Sequence, residues 1–345
     1  MELAAEALFS ILPRLSRSSS QIRGRLAVYN RGMHRRQFLQ TAAALPAFAG
    51  AAALAAKTSH RVMAQDKGHV AILDPSGSVD WSWENGTVAH DIHLLKNGNV
   101  LAPTARNIIV EVTPEKEVIW QWESKAVAPF DGNVEIHGFE RLDSGLTMIA
   151  ETGNKRIIEV DRAGKIQSEV KLQIEKPHPH RDTRLVRKTP QGTYLVPQEG
   201  DGLVREYDKD SKIVWEYRMV LTGPETPTHQ GHGIHVYSAY RLPNGNTMIG
   251  GGNNNRVLEV NPKGDIVWSV ENEELPGIKF SWITQLHILA NGNVIITNTH
   301  AAGKYPQLIE VNRKKEVVWS FLNWKTFGND LCANMLLDVG ADVIR

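Results

Sequence analysis

The sequence holds a single cysteine, Cys332, which excludes an internal disulfide framework and any cysteine-based zinc cluster. Net charge is almost absent, +1 over 345 residues, so no global field exists to recruit nucleic acid or an acidic surface. Neither a His-Glu-x-x-His metal motif nor a Gly-x-Ser-x-Gly nucleophile turn occurs. The run Gly250-Gly251-Gly252-Asn253-Asn254-Asn255 joins two expected strands rather than opening a helix, which argues against a nucleotide site. What the chain does have is a hydrophobic content of 41%, enough for a sizeable core.

The N-terminal stretch stands apart from the rest. His34-Arg35-Arg36-Gln37-Phe38-Leu39-Gln40 precedes a small-residue apolar run from Thr41 to Ala56, the order of a twin-arginine export signal. That run contains Pro46 and Gly50 and is rich in alanine rather than leucine, so it makes a poor permanent span. Val62-Met63-Ala64 before Gln65 offers a small-x-small cleavage site, with Ala53-Leu54-Ala55 as its rival. The expected organisation is a leader over residues 1–64 and one folded domain over residues 65–345. The signal places the mature protein in a periplasm or outside the cell, with no stable membrane insertion once the leader is removed.

From residue 68 onward the chain repeats itself. Asn255 to Trp268 reads NRVLEVNPKGDIVW, and close relatives are KRIIEVDRAGKI from Lys155, QLIEVNRKKEVVW from Gln307 and NIIVEVTPEKEVIW from Asn107. LVREYDKDSKIVW from Leu203 and GHVAILDPSGSVDW from Gly68 make six. Each is two apolar-alternating strands around a short polar turn, the pattern of a β-hairpin. Their closing slots are Trp81, Trp120, Ser168, Trp215, Trp268 and Trp319, spaced 39 to 53 residues apart. A second hairpin, typified by RLPNGNTMI from Arg241, precedes five of the six, its Asn-Gly answering the positive φ of a tight turn. Four strands per repeat at this period define the blade of a propeller. The first unit has only the second hairpin, and MLLDVGADVI from Met335 resembles only a first hairpin. The expected fold is therefore an all-β, six-bladed propeller, closed by two C-terminal strands pairing with two N-terminal strands in one blade.

First strands of propeller blades line the central channel, and the variable links between blades lie on one face, here called the upper face. Most of the histidines fall there. His90 and His137 occupy equivalent places, each eight residues before a turn glycine, and Arg181 and Tyr237 fall near that position in the next two blades. His137, His180 and His235 are the candidate catalytic residues, because imidazole titrates near neutral pH and can attack an acyl, sulfuryl or phosphoryl centre. Arg181, His90, His232, His300 and Trp282 are candidate ligand contacts, the arginine as a fork for an oxyanion and the indole as a platform for a ring. Converging imidazoles could also hold a divalent metal with Asp or Glu orienting them. A bland alternative is that a wet funnel simply tolerates polar side chains.

The units NGNTMIGGGNNNRVLEVNPKGDIVW and SGLTMIAETGNKRIIEVDRAGKI resemble those of the arylsulfotransferase-like propellers, within the wider PQQ-like β-propeller group. The resemblance covers most of residues 68 to 344 and rests chiefly on structural residues. It implies a funnel histidine that accepts sulfuryl from an aryl sulfate and passes it to a phenol, with further histidines and an arginine stabilising the sulfate. This chain offers His137, His180, Arg181, His235 and His300 in that region, and it lacks room for the extra N-terminal β-domain of the larger enzymes. PQQ itself is not expected, since quinoprotein dehydrogenases use more blades and a neighbouring cysteine pair. The functional expectation is a small-molecule partner, anionic or aromatic, bound in the upper funnel, with histidine-centred sulfuryl transfer as its sharpest form. The alternatives are a non-catalytic scaffold or ligand-binding module, and a metal-dependent lyase or hydrolase acting on polysaccharide fragments.

Overall fold

The hairpins read from the repeats are the building units of the structure. The computed structural model describes residues 59–221 and 235–345, and strands are its only regular elements among those residues. In chain order, the second blade contains β4 (His93–Leu94), β5 (Val100–Ala105), β6 (Ile108–Val112) and β7 (Val118–Glu123). The third contains β8 (Glu135–Arg141), β9 (Thr147–Thr152), β10 (Arg156–Val160) and β11 (Ile166–Lys171). The fourth contains β12 (Arg187–Lys188), β13 (Tyr194–Gln198), β14 (Leu203–Tyr207) and β15 (Ile213–Arg218). The fifth is β16 (Ser238–Arg241), β17 (Thr247–Gly250), β18 (Val257–Val260) and β19 (Ile266–Val270). The sixth is β20 (Trp282–Ile288), β21 (Val294–Thr299), β22 (Leu308–Val311) and β23 (Val317–Phe321). Each is a four-stranded antiparallel sheet, and with the closing blade they make a six-bladed propeller.

The closing blade corrects the expected arrangement. Its order is β24 (Asn334–Leu336), β1 (Val62–Asp66), β2 (His69–Leu73) and β3 (Val79–Glu84), so one C-terminal strand meets three N-terminal strands rather than two meeting two. Val62-Met63-Ala64, read as a cleavage site, is fully buried in β1, paired to β2 on one side and β24 on the other. The domain therefore begins before Gln65. His60 belongs to it as well, with Nε2 3.1 Å from Glu310 of the sixth blade and Nδ1 3.2 Å from Asp338. The second strand expected near the C-terminus is reduced to a single bridge between Ile344 and Ile288. Arg35, Arg36 and the apolar run after them lie outside the described residues.

Why these sequences pack as blades is visible in their burial. Second strands such as β9 and β21 are buried at every residue, because each is covered on both faces by neighbouring blades. Fourth strands alternate, as β7 does, and the closing-slot tryptophans seat on the next blade. The indoles of Trp81, Trp215 and Trp268 donate to the carbonyls of Pro114, Pro262 and Arg313 at 2.8, 3.0 and 3.0 Å. All six outer hairpins carry a bulge at the same place, with one extra residue on the fourth strand, and in five the third-strand residue just before the register shift is a glutamate: Glu111, Glu159, Glu206, Glu259 and Glu310. Four of these carboxylates reach a cation in the following blade, as in the pairs Glu111–Arg141, Glu159–Lys188, Glu206–Arg241 and Glu259–Arg313. His60 supplies the partner of the fifth, Glu310, so five of the six blade interfaces carry the pair; in the closing blade Ile72 stands at the glutamate's position. The turn glycines Gly98, Gly145, Gly192, Gly245 and Gly292 all have φ between +83° and +86°, the conformation that selects glycine there.

Candidate functional site

Counting back from each turn glycine converts the repeat into channel geometry. Eight residues before Gly98, Gly145, Gly192, Gly245 and Gly292 stand His90, His137, Arg184, Tyr237 and Thr284. The first four meet at the axis. The His90 and His137 rings are 4.5 Å apart, His90 Nδ1 is 2.6 Å from the Tyr237 hydroxyl, and the Arg184 guanidinium lies 5.5 Å from the Tyr237 ring centre. Arg184 Nη1 is also 3.3 Å from His137 Nδ1. The expected arginine was Arg181. Arg184 takes the ring position instead, because the turn glycine Gly192 fixes the register and Arg181 falls three residues short of it; Arg181 does not line the cavity above the ring. Arg184 is fully buried in an ion pair with Glu199, a partner that carried no periodic signal.

Above this ring the upper face opens into a cavity of about 690 Å³. Its lining includes His90, Glu135, His137, His178, His180, Trp282, His300 and Cys332. Blade links contribute His178 and His180, β8 contributes Glu135 and His137, and the loop between the second and third strands of the sixth blade contributes His300. Of the three catalytic candidates, His137 and His180 come together and His235 does not line the cavity. It is buried beside Gly202, where a Cβ would stand 2.9 Å from its Nδ1. His232 lies outside the described residues. Trp282 does line the cavity, but it is 2% exposed and His300 stacks on it at 4.9 Å and 19°, while Tyr237 meets it edge-on at 5.1 Å. A ligand ring would meet His300 or the indole edge rather than an open indole face.

Glu135 is not among the candidates named from the sequence, yet it stands at the centre of the cluster. Its Oε2 is 2.9 Å from His137 Nε2 and 2.6 Å from His180 Nδ1, and its Oε1 accepts from Arg106 at 2.8 Å. Burial alone would raise this carboxyl, but the hydrogen bonds to both histidines overcome it and hold Glu135 well below the usual carboxylate range. Burial, reinforced by the Arg184 charge, pushes the His137 imidazole down to about 4. Burial raises the Cys332 thiol to about 12, so it is an inert wall residue. His137 reaches this position through a bulge in β8: Ile136 pairs with Glu151 and Gly138 with Ala150, leaving His137 unpaired between them. Gly138 is required beside it, because a Cβ there would sit 2.6 Å from the Val186 nitrogen.

Five residues before the same glycines stand His93, Glu140, Arg187, Tyr240 and His287, a second layer deeper in the channel. Asp91 binds Arg187 through both oxygens, at 2.7 and 2.9 Å, and lies 3.2 Å from His93. His287 is fully buried, with Nε2 2.8 Å from Asn334 Oδ1 and Nδ1 unpartnered among the described residues. Burial holds its imidazole near 3. A depressed imidazole favours the fold above the ordinary value of 6.5 and loses that contribution as pH falls towards 3. Urea unfolding of the parent is therefore expected to weaken between pH 6.5 and 4, by up to about 1.4 kcal/mol per unit from this residue. His287→Gln should flatten the profile; an unchanged slope would show that the ring takes up its proton within the fold.

No family model matches the chain, and no curated protein sequence matches it. Solved structures do. A protein of unknown function from Bacteroides caccae is 22% identical with a TM-score of 0.67, over 80% of this chain and 98% of that one. A streptogramin B lyase is 12% identical with a TM-score of 0.51, over 77% and 84%. A catalytically inactive histidine-to-alanine variant of virginiamycin B lyase from Staphylococcus aureus, with quinupristin, is 13% identical with a TM-score of 0.50, over 79% and 88%. At these identities the likeness is one of fold, and it does not extend to membership of the arylsulfotransferase group.

Proposed function

We propose that the upper-face cavity is an active site for a small molecule carrying an oxyanion-forming group, worked on by the imidazoles gathered around Glu135. The observation that carries this reading is the convergence itself. Four blades send His90, His137, His180 and Trp282 to the wall of one cavity, with Arg184 and Tyr237 buried against them and a single carboxylate between two of the imidazoles. Structural polar residues in a wet funnel would be expected to satisfy backbone groups around the rim instead. In the sulfuryl-transfer version, an imidazole nitrogen attacks the sulfur of an aryl sulfate, the sulfur–oxygen bond to the ring breaks, and the phenolate leaves. A phenol then takes the sulfuryl group and gives its proton to the imidazole as the nitrogen–sulfur bond breaks. An elimination or hydrolysis is the second version; it is favoured by the lyases among the neighbours of this fold, one of which is inactive when a histidine becomes alanine.

The test is turnover of an aryl sulfate with a phenol acceptor, and of ester or lactone substrates, by the parent and by His180→Ala and Glu135→Gln. His180 is 27% exposed, so its loss should cost at least about 100-fold in kcat while leaving the melting temperature nearly unchanged. A parent that neither binds nor converts any of these, or variants that lose stability and not rate, would hand the site to the non-catalytic reading.

A further inference from the structure

We propose that Glu135, His137 and His180 form a binding site for a divalent cation of the zinc type in the wall of the upper-face cavity. The three side chains offer one carboxylate oxygen and two imidazole nitrogens, all within 4.8 Å of one another. Two histidines and one carboxylate, with a further position left to solvent or substrate, is a donor set that suits catalytic zinc.

The placement of His137 supports the site. Its Nε2 faces Glu135 Oε2 at 2.9 Å, and its Nδ1 lies 3.0 Å from the carbonyl oxygen of Thr183 and 3.3 Å from Arg184 Nη1, so the buried ring is held from its far side. In the tautomer that donates Nδ1–H to Thr183, Nε2 turns a lone pair towards the carboxylate and a cation can sit between them. An imidazole whose second nitrogen donates to a backbone carbonyl is the usual outer support of a metal-bound histidine. Arg106 supplies the matching support for the carboxylate, holding Oε1 at 2.8 Å and leaving Oε2 to face the imidazoles. The Oε2 contacts of 2.6 and 2.9 Å are shorter than the spacing of about 3.3 Å between donors on a tetrahedral zinc ion. A small rotation of the partly exposed His180 opens the first, and a turn of the Glu135 carboxylate about its Arg106 contact opens the second.

This inference rests on the reading of the cavity as a reactive site, and it says how that site meets an anion. Both nearby arginines are tied to carboxylates, Arg106 to Glu135 and Arg184 to Glu199, so the side chains alone bring little unpaired positive charge. A cation supplies it. With His137 and His180 engaged as ligands, His90 is the imidazole left to move protons, which favours elimination or hydrolysis over a histidine-bound sulfuryl group.

The experiment uses the full chain after chelation and dialysis, titrated with Zn²⁺ and Co²⁺ by calorimetry and, for cobalt, by visible absorption. A single ion should bind per chain, with cobalt bands that report nitrogen and oxygen donors. His180→Gln and Glu135→Gln should each weaken binding by about 100-fold. His69→Gln, a histidine outside the cavity, should not. His137→Gln is buried and need not fold; the partly exposed His180 keeps the test decisive. Absence of a stoichiometric ion, or binding that survives in both His180→Gln and Glu135→Gln, overturns the site. Sulfuryl transfer by fully chelated protein would also overturn it while leaving the cavity an active site. Ion binding without turnover of any aryl sulfate would uphold it and remove that substrate.

Discussion

Removing residues 331–345 is expected to abolish the cooperative monomeric fold rather than fray one end of it. The segment supplies β24, which pairs with β1 through Val62–Leu336, Met63–Met335 and Ala64–Asn334. Its apolar residues serve both flanking blade interfaces: Leu331 and Leu336 pack with Phe327 and Trp319 on one side, Ala333 and Met335 with Ile92 and Val100 on the other. Losing Leu331, Met335 and Leu336 forfeits roughly 1.5–3 kcal/mol each in burial alone, a sum comparable with the whole stability of an ordinary domain. Asn334 also takes with it hydrogen bonds to Thr297, Gln285 and the buried His287. A chain begun at Gln65 should fail in the same way, since it lacks three of the five residues of β1 and the His60 link to Glu310. A chain begun at residue 59 should not. Light scattering after size exclusion and calorimetric melting are the measurements. A truncated protein that melted within a few degrees of the parent as a monomer would refute this closure.

Asp91→Ala is expected to cost about 3–5 kcal/mol, the largest effect of any single substitution in the channel. Asp91 is fully buried, and it joins three blades at the axis: it binds both terminal nitrogens of Arg187 and accepts from the Phe139 amide at 3.1 Å. Burial would raise its carboxyl, but the guanidinium of Arg187, with His93 second, holds it at about 2. Truncation leaves the Arg187 charge, 6% exposed, with carbonyl partners but without its carboxylate. Urea unfolding with an unchanged m-value would isolate the effect to stability. The double variant Asp91→Ala with Arg187→Met should recover part of the loss, because it removes the stranded charge. A single-variant cost below about 1 kcal/mol would mean that Arg187 finds another partner or leaves the channel.

Where the chain repeats, its structure could be read directly. The outer hairpins, the turn glycines and the equivalence of His90 with His137 all follow from alternation and Asn-Gly spacing, which report local backbone geometry. Where an element does not repeat, the sequence was silent or misleading. VMAQD carries small and polar residues in a strand buried on both faces, and the same small residues read as a cleavage site. β24 is three residues long, too short for any period to show. Arg184 was legible, since the count of eight from Gly192 lands on it; Arg181 falls only near that position, three residues short of the register that the turn sets. Glu199 was not legible, because it stands just after β13, outside the strand alternation, and its partnership with Arg184 is a tertiary contact with no period to report it.

The closing blade has a consequence for the time course of synthesis. β1 leaves the ribosome early, while its inner neighbour β24 follows about 270 residues later. At ribosomal rates of roughly 5–20 residues per second, β1 waits on the order of tens of seconds with one edge open. Every other blade draws its strands from one continuous stretch and completes itself as it emerges. During that interval the nascent chain is an arc with a sticky end, exposed to a second nascent chain in the same condition. Exchange of β24 between two such arcs would give an intertwined dimer with the same strand pairings as the monomer, so dilution during synthesis, and not any change in the sequence, would decide which of the two accumulates.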